Sequence, residues 1–148
     1  MSRIHFRHAP VAPVLRSILL ERLYTIKGLA AAREFYDGAA YSPPFGRGFH
    51  LKMLELERSE RKIDAKRARR VYEAATDQFK VGEVCLDESQ FQCQRIDRQL
   101  QDDLNVWVDF AAFEGNHGRP RDVEAVKTRA RAALGKDLSA AFDLECAT

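Results

Sequence analysis

The chain has 148 residues, of which 45% are apolar and 31% are charged, and its formal net charge is +2. A chain of this size can bury a sizeable core without metal or disulfide support, and its recurring aromatic and aliphatic residues exclude a disordered composition. The weak net charge excludes a polycation as a whole, and no apolar run reaches the length of a transmembrane helix. We therefore expect one folded domain over residues 1–148.

The charges are unevenly distributed along the chain. Residues 1–80 carry 16 Lys and Arg against 9 Asp and Glu, whereas residues 81–118 carry 2 against 8. Such asymmetry is typical of a protein that binds nucleic acid or an acidic protein surface. It is equally compatible with one part of the molecule neutralising the other, so both alternatives stay open at this point.

The compartment is predicted from the N-terminal composition and from the cysteines. Residues 1–12 read as a short basic tail, and the first twenty residues contain three arginines and no acid. We expect a cytoplasmic protein, with a mitochondrial matrix protein carrying a presequence as the alternative. Three cysteines without a C-x-x-C pair indicate free thiols in a reducing environment.

The first helical pattern starts near Pro13, which suits the first turn of a helix. Gly28 either ends this helix or interrupts it, and a helical composition continues from Leu29 to Tyr36. Two prolines and two glycines then predict a loop over residues 42–48. The apolar residues that give the first helix its spacing are Leu15, Ile18, Leu19, Leu23 and Ile26.

Longer helical patterns follow. One helix is predicted over residues 48–79 and another from Asp87, as N-cap, to about Phe113. A turn is predicted over residues 115–118, after which Pro120 opens a helix that Gly135 ends, and a short last helix follows. The fold class is therefore all-α, a helical bundle of four to six helices built on a long antiparallel helical hairpin of residues 48–113.

The most informative stretch is residues 58–70, where seven of the 13 residues are basic. On one continuous helix, at about 100° per residue, the basic side chains share one face, and an apolar stripe with Met53, Leu56 and Val71 lies opposite. We refer to these five side chains as the basic ridge: Arg58, Lys62, Lys66, Arg69 and Arg70.

The basic ridge carries the functional hypothesis. We expect a non-enzymatic binding protein, such as an adaptor, an inhibitor or an assembly subunit, that engages an acidic protein surface or a second copy of itself through this ridge. A competing interpretation is that acids of the next helix pair with the ridge, because an antiparallel hairpin places Lys66 near Asp102, Arg70 near Asp97 and Arg58 near Asp109.

The alternative function is a nucleic-acid-binding regulator that uses the same ridge for phosphate contacts. Residues 110–134 weakly resemble a helix-turn-helix pattern, although Asn116 stands where an apolar residue is usual and the turn is too long. In that case a second basic helix would contribute the cations Arg119, Arg121, Lys127, Arg129 and Arg131.

Chemistry-bearing residues are few. Glu114 and His117 could form an acid–base pair at a turn, which leaves a small enzyme as a third hypothesis, although no nucleophile lies near them in the sequence. His5 and His8 have the spacing of one helical turn but lack a third ligand, so no metal site is predicted. No phosphate-binding loop or other cofactor motif is present, and no cofactor is expected.

Overall fold

The computed structural model describes the backbone of residues 11–42, 46–77 and 91–147, and their side chains except those of residues 11–13 and 91–101. Within these ranges every regular element is helical, which confirms the all-α prediction with a helix count at the upper end of the expected range. The six helices are α1 (Val11–Lys27), α2 (Leu29–Ala39), α3 (Arg47–Ser59), α4 (Ala65–Asp77), α5 (Phe91–His117) and α6 (Pro120–Glu145).

The chain divides into two compact units, residues 1–75 and residues 76–148. The first contains α1, α2, α3 and most of α4, and the second contains α5 and α6. The prediction of a single domain over residues 1–148 stays a prediction, as does the pairing of basic-ridge cations with acids of the following helix.

In the first unit, α1 and α2 form an antiparallel hairpin around Gly28. This glycine has φ 86° and ψ −179°, a conformation that is essentially restricted to glycine. Of the two predicted roles of Gly28, ending the helix or interrupting it, the structure shows the first, since α1 ends at Lys27. At the far end of the hairpin, Arg16 Nη1 donates to the carbonyl oxygens of Ala39 at 3.2 Å and Ser42 at 2.6 Å. The contact joins the start of α1 to the end of α2, so the two helices run in opposite directions.

The third helix, α3, runs parallel to α1. Lys52 Nζ lies 3.7 Å from Glu21 Oε1, and the Tyr24 hydroxyl lies 3.2 Å from Ser59 Oγ. The residue numbers increase together along both helices, as they do in a parallel pair. Buried apolar side chains from the helices of this unit form its core; among them are Leu20, Ala32, Tyr36, Phe49, Met53, Leu56 and Val71. The apolar stripe expected around Met53 and Leu56 is therefore buried, as predicted.

The predicted continuous helix over residues 48–79 is wrong, because the chain leaves the helix between α3 and α4. Glu60 has an extended backbone with φ −74° and ψ 145°, and Ser59 Oγ donates to the carbonyl oxygen of Leu56 at 2.7 Å. Asp64 Oδ1 then accepts the backbone N–H groups of Lys66 and Arg67, each at 3.2 Å. Local hydrogen bonds of serine and aspartate compete with the helix here and start a new one.

In the second unit, α5 and α6 form a helical hairpin with only Gly118 and Arg119 between them. The predicted turn over residues 115–118 is therefore too long, because α5 continues through residues 115–117. The N–H of Gly118 donates to the carbonyl oxygen of Glu114 at 2.7 Å, and a Cβ at Gly118 would lie 2.9 Å from that same backbone oxygen and would also collide with the Glu114 carboxylate. Only glycine lets the chain turn this closely over Glu114.

The buried residues of the hairpin recur at the spacing of amphipathic helices. On α5 they include Leu104, Trp107, Phe110 and Phe113, and on α6 they are Val126, Ala130, Leu134 and Phe142. Pro120 begins α6 as expected, and at Gly135, with φ 74° and ψ −179°, the backbone leaves the helical conformation, so α6 consists of two helical segments that meet at a kink, as the predicted stop and short last helix require. The predicted N-cap Asp87 lies outside the described residues.

Candidate binding surface

The break between α3 and α4 changes the geometry of the basic ridge. Arg58 lies in the last turn of α3, Lys62 in the connection, and Lys66, Arg69 and Arg70 in α4. The prediction that the five cations share one face of a single continuous helix is therefore wrong. The cations instead lie on both sides of the connection between α3 and α4, and they do not form a single row over three turns of one helix.

Two of the five ridge residues are engaged within the protein. Arg58 Nη1 donates to the Tyr72 hydroxyl at 3.3 Å. Arg69 is half-buried and also has a partner. These two side chains are thus less suited to contact a binding partner than the sequence pattern suggests.

The remaining three, Lys62, Lys66 and Arg70, are exposed, and so is Arg61 in the connection. The side chains of these four residues form no ion pair or hydrogen bond within the part of the chain that the structure describes. Arg61 was left out of the ridge because a continuous helix directs it about 100° away from Lys62, whereas in the structure both residues belong to the connection between α3 and α4. We name the four exposed side chains the junction cations: Arg61, Lys62, Lys66 and Arg70.

The remaining basic residue of residues 58–70 is Arg67, which belongs to a network of ion pairs. Glu57 is fully buried and accepts two hydrogen bonds from Arg33, with Nε at 2.8 Å and Nη2 at 2.6 Å. Arg67 Nε lies 3.5 Å from the Glu57 carboxylate, and Arg67 Nη2 donates to Asp37 at 2.8 and 2.9 Å. The hydrogen bond to Glu57 raises the pKa of Arg33.

This network links three helices around one carboxylate. Arg33 and Asp37 belong to α2, Glu57 to α3 and Arg67 to α4. Because removal of one partner would leave a buried charge, the network fixes the position of α4 relative to α2 and α3. It therefore holds the frame on which the junction cations are displayed.

A second polar pair lies within the same unit. Tyr36 and His50 are buried, and the Tyr36 hydroxyl shares a hydrogen bond of 2.7 Å with Nδ1 of His50. The rings meet edge to face, with centroids 5.7 Å apart. Burial raises the pKa of the Tyr36 phenol well above its ordinary value. Since both residues are almost inaccessible to solvent, they act in packing rather than as a surface site.

The second basic set, proposed for nucleic acid, is largely paired within the protein. Arg131 Nη2 lies 2.8 Å from Asp143, and Lys127 Nζ lies 3.7 Å from Glu124. These contacts are exposed ion pairs that a ligand could compete with, but each cation already has a carboxylate beside it.

Arg129 of the same set is held from two directions. Its Nη2 atom lies 3.1 Å from Asp77, and its guanidinium lies over the ring of Trp107, 5.7 Å from the centroid. Arg119 is the N-cap residue of α6 and Arg121 follows in its first turn, and both are exposed. Of the predicted set, Arg119 and Arg121 remain the cations most open to a ligand.

The proposed acid–base pair consists of residues with opposite exposure. Glu114 is buried, whereas His117 is exposed and its ring lies 4.8 Å from that of Phe113. The two residues are three positions apart near the C-terminal end of α5. The hypothesis of an enzyme that uses them stays a prediction. His5 and His8 lie outside the described residues, and within the described ones no group of three metal-binding side chains occurs.

The chain shows no significant match to any protein-family model, curated protein or solved structure with which it was compared. None of the described helices combines the length and the apolar composition needed to cross a lipid bilayer.

Proposed function

We propose that this protein is a non-enzymatic binding protein that docks an acidic segment of a protein partner on the junction cations. The observation that carries the proposal is the contrast in pairing. Arg33, Arg67 and Arg131 each have a carboxylate within 3 Å, whereas the four junction cations have none among the described residues. A carboxylate-rich partner would supply the charges that this surface lacks.

The arrangement of the cations favours a compact acidic segment. Lys66 and Arg70 are four residues apart on α4, so their side chains are neighbours on one helix face. Arg61 and Lys62 belong to the connection that leads into the first turn of the same helix. The break at residues 60–64 therefore removes the straight row of about 16 Å that a continuous helix would offer to a phosphate backbone.

A pair of double variants tests the proposal with matched charge. Lys62→Glu/Lys66→Glu changes two junction cations, and Lys27→Glu/Lys136→Glu makes the same change in net charge at exposed lysines of α1 and α6. The probe is a fluorescent glutamate-rich peptide, followed by anisotropy. We expect the junction variant to bind at least about tenfold more weakly than the control, because close charge pairs contribute over 1.4 kcal/mol in favourable interfaces.

Folding should not limit this experiment. Lys62 and Lys66 are exposed, and glutamate in the first turn of α4 interacts favourably with the helix dipole. Circular dichroism of both variants should match that of the wild type. Equal loss of binding in both variants would indicate an effect of net charge alone and would contradict a defined docking surface.

A short DNA duplex measured in parallel separates the nucleic-acid alternative. Binding of the duplex should be weaker than binding of the peptide at physiological salt if the partner is an acidic protein. Tighter duplex binding, with a slope of about −0.9 per phosphate contact in log affinity against log salt and a dependence on Lys62 and Lys66, would favour the nucleic-acid-binding regulator instead.

A further inference from the structure

The outer face of α1 is apolar and exposed. Its large aliphatic residues are all about half exposed or more, with fractions of 58% at Val14, 57% at Leu15, 49% at Ile18, 46% at Leu19 and 74% at Ile26. Leu20 is completely buried on the core side of the same helix. We name the five exposed residues the α1 apolar face.

The face lies away from the helices that hold α1. At about 100° per residue, Leu15, Ile18 and Ile26 lie within about 60° of the direction opposite Leu20. The other sides of α1 face its neighbours, since Arg16 binds carbonyl oxygens at the end of α2 and Tyr24 contacts Ser59 of α3. An apolar stripe beyond the one needed for the core is what distinguishes this helix.

The α1 apolar face is large for a patch formed by one helix. From the exposed fractions, its apolar area is on the order of 500 Å², near the top of the range for the largest patch on a monomeric protein. Patches of this size commonly mark interaction sites. The face belongs to α1 and shares no residue with the junction cations, so it needs an occupant of different chemistry.

We propose that the α1 apolar face is the contact surface of a homodimer, in which two copies of α1 pack antiparallel about a twofold axis. A standard interface buries about 800 Å² on each partner, and the core of a homodimer interface is about 65% apolar. An apolar area on the order of 500 Å² therefore matches the core that one such interface requires.

The charge on the face agrees with an antiparallel arrangement. Arg22 is the one cation between Ile18 and Ile26, and it is exposed. If the twofold axis passes near Ile18 and Leu19, the two Arg22 side chains lie about 10 Å apart along the helices, one on each side of the axis. A parallel arrangement would instead bring the two guanidinium groups together.

The association state of the full chain tests the proposal. By sedimentation velocity at increasing concentration, we expect the wild type to approach twice its monomer mass of 16.9 kDa. Ile18→Glu should raise the dissociation constant of the dimer more than about 100-fold, because the twofold axis buries two unpaired carboxylates together. Ile26→Glu, at the most exposed position, provides a second variant with still less effect on folding.

The matched control is Leu144→Glu in α6. Leu144 is 69% exposed and lies outside the α1 apolar face, so this variant should dimerise like the wild type. A wild type that stays at 16.9 kDa at every concentration, or an unchanged dimer in Ile18→Glu and Ile26→Glu, would overturn the proposal. Cosedimentation of a monomeric wild type with phosphatidylcholine vesicles would also overturn it, in favour of a lipid surface as the occupant.

Discussion

At the scale of single residues, the carboxylate of Glu57 is a charge in the interior of the first unit. It is fully buried, and its carboxylate depends on Arg33 and, at longer distance, on Arg67. A buried carboxylate without partners costs several kcal/mol, whereas an apolar pair of similar volume in its place is often neutral. Single and double variants of Arg33 and Glu57 distinguish the loss of one partner from the replacement of the pair.

Arg33→Met should lower the free energy of unfolding by about 2–3 kcal/mol, since it removes both short hydrogen bonds and leaves only Arg67 near Glu57. Arg33→Met/Glu57→Leu should recover most of this loss, and urea denaturation measures both. Lys52→Met is the control, because its exposed pairs with Glu21 and Glu55 contribute less than about 1 kcal/mol. Equal losses for Arg33→Met and Lys52→Met would show that Glu57 is not held as described.

Tyr36 makes the stability depend on pH in the alkaline range. Burial raises the pKa of its phenol in the folded state above the ordinary value of about 10 that it has when unfolded. The contribution of protonated Tyr36 to the free energy of unfolding is therefore complete below pH 10, and it is lost as the pH rises from there toward the folded-state pKa. Tyr36 also supplies the hydrogen bond of 2.7 Å to His50.

Tyr36→Phe should therefore lower the free energy of unfolding by about 1–3 kcal/mol at pH 7, because it removes the buried hydrogen bond to Nδ1 of His50. The difference in stability between Tyr36→Phe and the wild type should shrink between pH 10 and 11. In this range Tyr36 ionises in the unfolded state, which lowers the free energy of unfolding of the wild type only. Urea titrations at the two pH values measure this. Tyr41→Phe, at a 71% exposed position, should leave stability at pH 7 unchanged.

At the scale of helices, the separate existence of α3 and α4 decides where the junction cations lie. Asp64 is the residue that starts α4, because its carboxylate accepts the N–H groups of Lys66 and Arg67. The same side chain brings a negative charge to the positive end of the helix dipole. The cap thus orients the first turn of α4, which carries Lys66.

Asp64→Ala should destabilise the protein by about 1 kcal/mol, the usual loss on removing an N-cap side chain, as measured by urea denaturation. Asp64→Asn keeps an oxygen acceptor and should retain most of the stability. If the alanine variant is as stable as the wild type and the asparagine variant is not, the capping contact does not operate as the geometry indicates.

At the scale of the whole molecule, the first compact unit contains the interactions that define it. The Glu57 network, the Tyr36–His50 pair and the contacts among α1, α2 and α3 all lie within residues 1–75. Both proposed surfaces, the junction cations and the α1 apolar face, belong to this unit as well. The unit therefore carries its own polar links and its own core.

A fragment of residues 1–75 should accordingly fold by itself, with helical circular dichroism and a cooperative urea transition. Its free energy of unfolding is expected to be low, about 3–5 kcal/mol at most, because a chain of this size has a small core. Residues 76–148, prepared in the same way, serve as the comparison. Absence of a cooperative transition in the first fragment would support the sequence-based expectation of a single domain over residues 1–148.

Periodicity was sufficient for the helical class and for most of the core. Met53, Leu56 and Val71 were placed inside by their spacing alone, and all three are buried. Periodicity failed at residues 60–64 because charged residues continue a helical pattern whether or not the backbone does. The decisive local signal was Asp64, a good N-cap residue that stands within an otherwise helical composition.

The sequence by itself determined that the chain forms amphipathic helices, that glycine interrupts two of them and that residues 58–70 carry an excess of positive charge. Only the tertiary structure decided which cations pair with carboxylates of the same chain. Arg67 is drawn into a network because a buried carboxylate from another helix reaches it, whereas Lys62 and Lys66 have no such neighbour among the described residues. Likewise, spacing marks Leu15 and Ile18 as apolar helix residues, but their exposure depends on the sides of α1 that α2 and α3 occupy. Pairing and exposure are set by residues distant in the sequence, which is why no local pattern encodes them.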